Sequence, residues 1–261
     1  MSYYTVITEA VNDIVEHGFD SQVRIDSWVA KIKHAANMHM ASEAKVRQDL
    51  ERALRGAYTR LVTKGGLVSK HISRFTVDKL SSKLRADLDR RIIASASLIK
   101  RNRAMAISQT LQRFEGWATS IPAGGTRAAD KVVEKDAIRK HIVDLPFREK
   151  RVIIDQTHKL IANINEVVAL DSGAIAFGWR SHWKQPGYDY REDHKERDDV
   201  IYLVRGSWAD KAGYVKPVNG YYDQITAVGE EPYCRCYLVG IYTMAEMPVE
   251  FLTEKYKNKV H

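Results

Sequence analysis

Two short stretches near the end of the chain hold the side chains best suited to chemistry. Asp189, Arg191 and His194 form the first, and Cys234 with Cys236, the only two cysteines, form the second. Thiolates and an imidazole are the ligands that Zn²⁺ prefers in a closed tetrahedral site. His194, Cys234 and Cys236 are therefore candidate zinc ligands, although their C-x-C spacing is not the C-x2-C of a standard zinc finger.

Other roles for the cysteines stay open. Both could be small core residues on the buried face of a strand. A nucleophilic cysteine with His194 as its base is a third interpretation, but the sequence offers no obvious oxyanion loop or orienting partner. A disulfide between them would be strained, because Cα atoms two residues apart in an extended chain are about 6.6 Å apart, the upper limit for a bridge.

Two arginines accompany these stretches. Arg191 lies between Asp189 and Asp193, and Arg235 lies between the two cysteines. Arginines beside carboxylates more often lock loops through bidentate pairs than take part in catalysis. We expect Asp189, Arg191 and Arg235 to be structural braces.

The chain has a basic excess that is concentrated in one window. It has 41 Lys+Arg against 33 Asp+Glu, a formal net charge of +8, and residues 70–103 hold ten basic and three acidic side chains. Such a concentration fits a polyanion or an acidic protein surface as partner, and it fits a solvated helix face equally well. The residues predicted to bind nucleic acid are Lys83, Arg90, Arg91, Lys100, Arg101 and Arg103.

Apolar periodicity predicts a helical front and a stranded end. A repeat of 3.6 residues predicts helices over residues 3–17, 21–37, 42–64, 76–116, 126–141 and 146–171. The period then falls to two, which predicts strands over residues 175–183, 200–204 and 233–242. On the last of these, Cys234, Cys236 and Leu238 are expected to share a face.

The expected fold class is α+β, with a mostly helical N-terminal two-thirds followed by a small α/β module with short strands. We divide the chain into a helical docking domain with the long basic helix (1–125), a helical connector (126–171) and the module (172–261). No apolar run reaches the ~20 residues of a membrane span, and the N-terminus lacks the basic start and apolar core of a signal peptide. We therefore expect no membrane partner and synthesis in a reducing cytoplasm.

Taken together, these stretches resemble the C-terminal domain of the phage Mu F-like minor head (head morphogenesis) proteins. The resemblance rests on a Trp-containing strand, a D-x-R-x-x-H motif and a P-x-C-R-C strand. The matching positions are Trp179, Asp189, Arg191, His194, Pro232, Cys234, Arg235 and Cys236. The helix over residues 151–171, with Asn163, resembles the helix that leads into that domain, so the resemblance covers roughly residues 145–243.

The chain departs from the family pattern at two points. Many members have C-x-x-C where this chain has Arg191-x-x-His194, and this favours a metal because His and Cys exchange readily as ligands. The family often has His-Pro-Asn before Cys-Arg-Cys, whereas this chain has Glu231-Pro232-Tyr233. That departure removes a potential fourth ligand, for which His182 or Asp189 is the substitute.

The resemblance implies a virion protein of a tailed phage, located in the head interior or at the portal vertex. Its implied partners are a portal or capsid protein and packaged double-stranded DNA, and its implied role is in head assembly, DNA packaging or ejection. The family's domain has been likened to ADP-ribosyltransferases, but the sequence shows no convincing NAD-binding Arg and catalytic Glu, so we expect no catalytic residues. Two alternatives stay open, a phage-delivered enzyme (an ADP-ribosyltransferase relative or a zinc-dependent hydrolase) and a non-specific DNA-binding protein.

Overall fold

The computed structural model describes the backbone of residues 1–260 and the side chains of residues 1–259. It is 63% helical, with a small three-stranded antiparallel sheet near the C-terminus. The predicted α+β class is thereby confirmed, including its helical N-terminal part.

Six helices precede the sheet. They are α1 (Tyr3–His17), α2 (Gln22–His39), α3 (Glu43–Tyr58), α4 (Arg74–Ala118), α5 (Lys131–Val143) and α6 (Leu145–Asp171). The sheet and the short helices around it follow as β1 (Ala176–Arg180), α7 (Glu192–Glu196), β2 (Ile201–Leu203), α8 (Trp208–Lys211), β3 (Tyr237–Ile241) and α9 (Glu254–Val260). A π-helical turn, Thr59–Thr63, follows α3 directly. Among the described residues, no helix is both long and apolar enough to cross a membrane.

The helix predicted over residues 126–141 begins later than expected because a different residue caps it. Asp130 accepts hydrogen bonds from the backbone N–H groups of Val132 (2.9 Å) and Val133 (3.2 Å), so α5 starts at Lys131. The Thr126 hydroxyl instead accepts from Ala128 N at 3.1 Å, within a turn. Both residue types are good N-caps, and only the side-chain bond that forms decides between them.

The strand predicted over residues 233–242 begins only at Tyr237. Tyr233 has φ +61, a left-handed conformation that interrupts an extended chain. Its N–H donates to Asp155 Oδ1 (2.6 Å), and the N–H of Arg235 donates to the Tyr188 hydroxyl (3.2 Å). Side chains thus take the backbone donors that a strand would use, and both cysteines lie in an irregular segment before β3.

The described chain forms two compact units. Residues 1–51 and 93–153 make the first unit, and residues 52–92 and 154–261 make the second. The boundaries of these units do not coincide with the predicted ones at 125 and 171. Residues from 172 onward belong to one unit with 52–92 and 154–171. Contacts within this unit include Lys70 Nζ to Glu246 Oε1 (2.9 Å) and the Tyr222 hydroxyl to Glu166 Oε2 (3.1 Å).

The first unit is a helical assembly in which α1 packs against α2 and α5. The apolar faces of these helices and of the last turns of α4 meet in one core that includes Ile7, Ala10, Ile14, Ile25, Ile32, Phe114, Ile138 and Ile142. Gly18 ends α1 with φ +70, and a Cβ there would lie 1.7 Å from Pro122 O. Only glycine allows the chain to turn at this point.

The sheet of the second unit has the order β2-β1-β3, with both neighbours antiparallel to β1. Because β1 is the central strand and both its faces are covered, its alternating side chains enter two separate clusters. Phe177 and Trp179 lie with Tyr222, Cys234 and Cys236 on one face. The cluster on the other face contains Ile175, Ala176, Leu203, Ile241, Met244 and Phe251.

Candidate metal centre

The sheet register brings the two predicted stretches together. Arg180, the last residue of β1, is paired with Tyr237, the first residue of β3. In an antiparallel pair, the segment that leaves one strand lies beside the segment that enters the other. The segment with Cys234 and Cys236 therefore lies beside the chain that continues from β1 to α7, which carries His194.

His194, Cys234 and Cys236 form a buried cluster. His194 is 3% exposed, Cys234 2% and Cys236 6%. The Nδ1 atom of His194 lies 3.7 Å from Cys234 Sγ and 3.5 Å from Cys236 Sγ. Zinc bonds of about 2.3 Å to sulfur and about 2.0 Å to nitrogen, at a tetrahedral angle, hold those atoms about 3.5 Å apart. The three ligand atoms lie within 4.8 Å of one another, so this cluster could hold a metal ion.

The surroundings of the sulfurs favour a thiolate. The Cys236 thiol holds the pKa of Cys234 down, to about 5, and the backbone N–H groups of Gly229 and Cys236 with the His194 ring act in the same direction, against burial. The pKa of Cys236 is raised, because its thiol donates to Cys234 and because it is buried. The surroundings thus favour a thiolate at Cys234, and a thiolate is the form that ligates metals.

Two buried donors point toward the second sulfur. Trp179 Nε1 and Ser181 Oγ have no hydrogen-bond partner among the described residues. Both side chains lie near enough to Cys236 to lower the pKa of its thiol. Buried polar groups are normally satisfied, so these donors are explained if Cys236 carries negative charge. A metal-bound thiolate would supply it.

The other nitrogen of His194 faces carboxylates. Nε2 lies 3.7 Å from Glu231 Oε2 and 3.9 Å from Asp193 Oδ2, beyond hydrogen-bond distance. Arg191 fixes Glu231 through Nε at 2.6 Å and donates through Nη2 to Pro232 O at 3.0 Å. A carboxylate on the far nitrogen orients a metal-ligating histidine and sets its tautomer.

The predicted fourth ligands lie outside this cluster. Among the described residues, neither His182 nor Asp189 contributes a ligand atom to it. The His182 ring instead lies beside the rings of Tyr188 (6.5 Å) and Tyr237 (5.8 Å). Asp189 is exposed, and the described chain gives it no ion pair with Arg191.

The predicted braces differ from one another. Arg191 contacts Glu231 and the Pro232 carbonyl and so ties the start of α7 to the cysteine segment. The described chain gives the guanidinium of Arg235 no hydrogen-bond acceptor, so the bracing role of this residue stays a prediction. Its side chain lines a groove together with His158 and His182.

The predicted nucleic-acid residues have different environments. Arg103 is 5% exposed and pairs with buried Glu149 of the first unit, so it cannot contact a polyanion. Arg90 and Arg91 both pair with Asp87 in the second unit. Exposed side chains without a carboxylate partner in the described chain are Lys83, Lys100 and Arg101. Counting charges along the sequence could not distinguish the buried arginine, the paired arginines and the exposed side chains without a partner.

No family model, curated protein or solved structure matches the chain. The site is therefore interpreted from its own geometry. Sequence reasoning missed Glu231, Ser181 and the Trp179 indole as neighbours of the ligands. The antiparallel pairing of the strands around residues 180 and 237 was the signal that could have placed Ser181 beside Cys236.

The carboxylate next to His194 should tune metal affinity. We expect Glu231→Gln to weaken metal binding about 10- to 100-fold while leaving the stoichiometry unchanged, because the charge that supports the histidine is lost. Competition with a chelator of known affinity measures the change. Glu192→Gln is the matched control, since this exposed α7 residue pairs with Lys195 instead. Equal affinities of the two variants would contradict the assigned role of Glu231.

Proposed function

We propose that the second unit contains a structural zinc site and that the chain is a minor head protein of a tailed phage. The observation that carries the proposal is the convergence of the two resembling motifs. Arg191 and His194 of the first meet Pro232, Cys234 and Cys236 of the second. Residues that resemble one family and lie far apart in sequence thus make one cluster in space.

The donor set supports zinc. Two thiolates and an imidazole suit Zn²⁺ better than Mg²⁺ or Ca²⁺, which prefer oxygen ligands. The bound ion would act as a cross-link in an otherwise irregular part of the chain. His194, Cys234 and Cys236 would hold it, while Arg191 and Glu231 would keep the imidazole oriented.

Burial of the ligands supports a structural role over the alternative of a zinc-dependent hydrolase. All three donor residues are more than nine-tenths buried, whereas a hydrolytic metal needs a position that substrate and water can reach. The resemblance carries no catalytic residue onto this chain. We therefore propose a non-enzymatic protein.

We infer that a portal or capsid protein docks on the first unit. Several of its apolar side chains are solvent-exposed, including Val132 (64%), Val133 (57%) and Phe147 (64%). Contiguous exposed apolar surface often marks a protein contact, and Val132 and Val133 are adjacent in the chain. The proposed location is the head interior or the portal vertex of the virion, which the protein reaches from the host cytoplasm.

Incorporation into particles tests this function. We expect the protein in purified virions of the phage that encodes it, and Val132→Asp/Val133→Asp should be depleted from them without losing its fold. The control is Val249→Asp, an equally exposed apolar residue (67%) of the second unit. Absence of the wild-type protein from virions, or depletion of the control alone, would contradict the proposal. Deleting residues 1–66 is a poorer test, because residues 52–66 belong to the second unit.

Packaged double-stranded DNA is a second proposed partner, supported by the free charges on α4. We expect weak, sequence-independent DNA binding. The logarithm of its association constant should fall linearly with the logarithm of the salt concentration. Replacing Lys83, Lys100 and Arg101 by glutamine should reduce the slope by about 0.9 per residue. Arg85→Gln serves as control, because Arg85 is already paired with Asp89. An unchanged slope in the triple variant would exclude this face.

A further inference from the structure

A groove beside the cysteine segment gathers basic groups that the proposed zinc site does not use. Two adjoining cavities of about 170 and 360 Å³ share the lining residues His158, His182 and Arg235. Asn165 lines the smaller cavity, and Gln185 lines the larger one. The groove thus combines hydrogen-bond donors and positive charge in a concave surface.

Arg235 is the permanent charge of the groove. Its backbone is fixed, because its N–H donates to the Tyr188 hydroxyl (3.2 Å) and both its neighbours in sequence are buried cysteines. Its guanidinium nevertheless has no acceptor among the described residues. Other arginines of the second unit are held by carboxylates, Arg191 by Glu231 and Arg205 by Asp223 at 2.8 Å. A half-buried guanidinium on a fixed backbone is suited to bidentate recognition of an oxyanion.

Negative charge near the groove is already compensated. Asp155 is the carboxylate that acts on His158, and its oxygens accept from Tyr233 N (2.6 Å) and lie 3.5 Å from Lys159 Nζ. The pKa of His158 is lowered, first by partial desolvation of its ring and then by the positive charge of Arg235. The positive potential that the groove presents to a ligand therefore comes from Arg235.

We propose that this groove binds a small phosphate-type oxyanion, either inorganic phosphate or the terminal phosphate of a small molecule. Arg235 supplies the fixed charge, and the rings of His158 and His182 supply further hydrogen bonds. The cavity volumes of about 170 and 360 Å³ favour a small ligand, since small-molecule sites are concave and of limited size. The site is independent of the proposed virion role.

Titration calorimetry of the full-length, metal-loaded protein with inorganic phosphate tests the proposal. We expect saturable binding that Arg235→Gln weakens at least about tenfold, by loss of a bidentate charge-assisted pair. His158→Gln should weaken it severalfold. Because Arg235 lies between two candidate metal ligands, its variant could lose the fold, and His158→Gln on α6 then decides the question alone. Arg205→Gln, which alters a paired arginine elsewhere in the second unit, should leave binding unchanged.

Three results would overturn the proposal. The first is the absence of saturable phosphate binding to the wild-type protein. The second is an equal phosphate affinity of three proteins, namely the wild type, His158→Gln and a folded Arg235→Gln. The third is a loss of duplex DNA binding on substitution of Arg235 while phosphate does not bind, which would make the groove a nucleic-acid contact instead. A small molecule with a terminal phosphate that displaces inorganic phosphate, and whose binding is weakened by the same substitutions, would support a small molecule as the ligand.

Discussion

Cys234→Ser should release the bound zinc and lower the free energy of unfolding by about 4 kcal/mol, if free zinc exceeds the dissociation constant about a thousandfold. The physical reason is linkage, since an ion that binds only the folded chain stabilises it. Wild-type protein purified without added metal should contain about one zinc per chain. Elemental analysis and thermal unfolding with and without a chelator measure both effects.

The control must separate loss of the metal from the cost of a buried hydroxyl. Val228→Thr places a hydroxyl in the same apolar cluster as Cys234. We expect it to cost about 1–3 kcal/mol while zinc remains bound. A chelator should lower the unfolding temperature of wild type and of this control, but not that of Cys234→Ser. If the chelator leaves the unfolding temperature of the wild type unchanged, the two cysteines are core residues only.

Glu149→Gln should destabilise the first unit by about 3–5 kcal/mol, because it leaves the Arg103 guanidinium buried without a countercharge. The side chains of this pair are 7% and 8% exposed, and Arg103 Nη2 donates to Glu149 Oε2 at 3.2 Å. Urea unfolding at neutral pH measures the change. The matched control is Glu134→Gln, which breaks a more exposed pair with Arg113 and should cost about 0–1 kcal/mol.

Replacing the ion pair by two apolar residues should recover much of the stability that Glu149→Gln loses. Arg103→Met combined with Glu149→Leu removes both charges, and replacement of a buried ion pair by apolar residues is often neutral or stabilising. A double variant that is less stable than Glu149→Gln would show that the pair is retained for its own net stabilisation. Equal costs of Glu149→Gln and Glu134→Gln would contradict the buried environment assigned to Arg103.

Local pattern was sufficient to predict most of the helical front. Apolar spacing predicted α1, α3 and α4 closely, because each helix buries one stripe of its surface. The alternation of Phe177 and Trp179 with smaller residues likewise predicted β1. These features depend on neighbours in sequence, and the sequence shows them directly.

Features set by distant partners could not be predicted. Tyr233 and Arg235 leave the strand pattern because Asp155 and Tyr188 take their N–H groups, and neither partner is near in sequence. Arg103 looks like part of a basic face until Glu149 is seen to bury it.

The ligand types predicted the metal cluster only in part. His194, Cys234 and Cys236 were recognisable from their chemistry, whereas the positions of His182 and Glu231 depend on the turn after β1 and on the chain before β3. Glu231 lies 3.7 Å from the far nitrogen of His194.

X-ray absorption at the zinc edge, on protein purified without added metal, tests the central claim most directly. We expect bound zinc whose nearest neighbours include two sulfur atoms at about 2.3 Å and a nitrogen at about 2.0 Å. Cys236→Ser, like Cys234→Ser, should release the zinc and so remove its absorption edge. A spectrum with oxygen and nitrogen neighbours only, or protein without zinc, would contradict a metal centre at His194, Cys234 and Cys236.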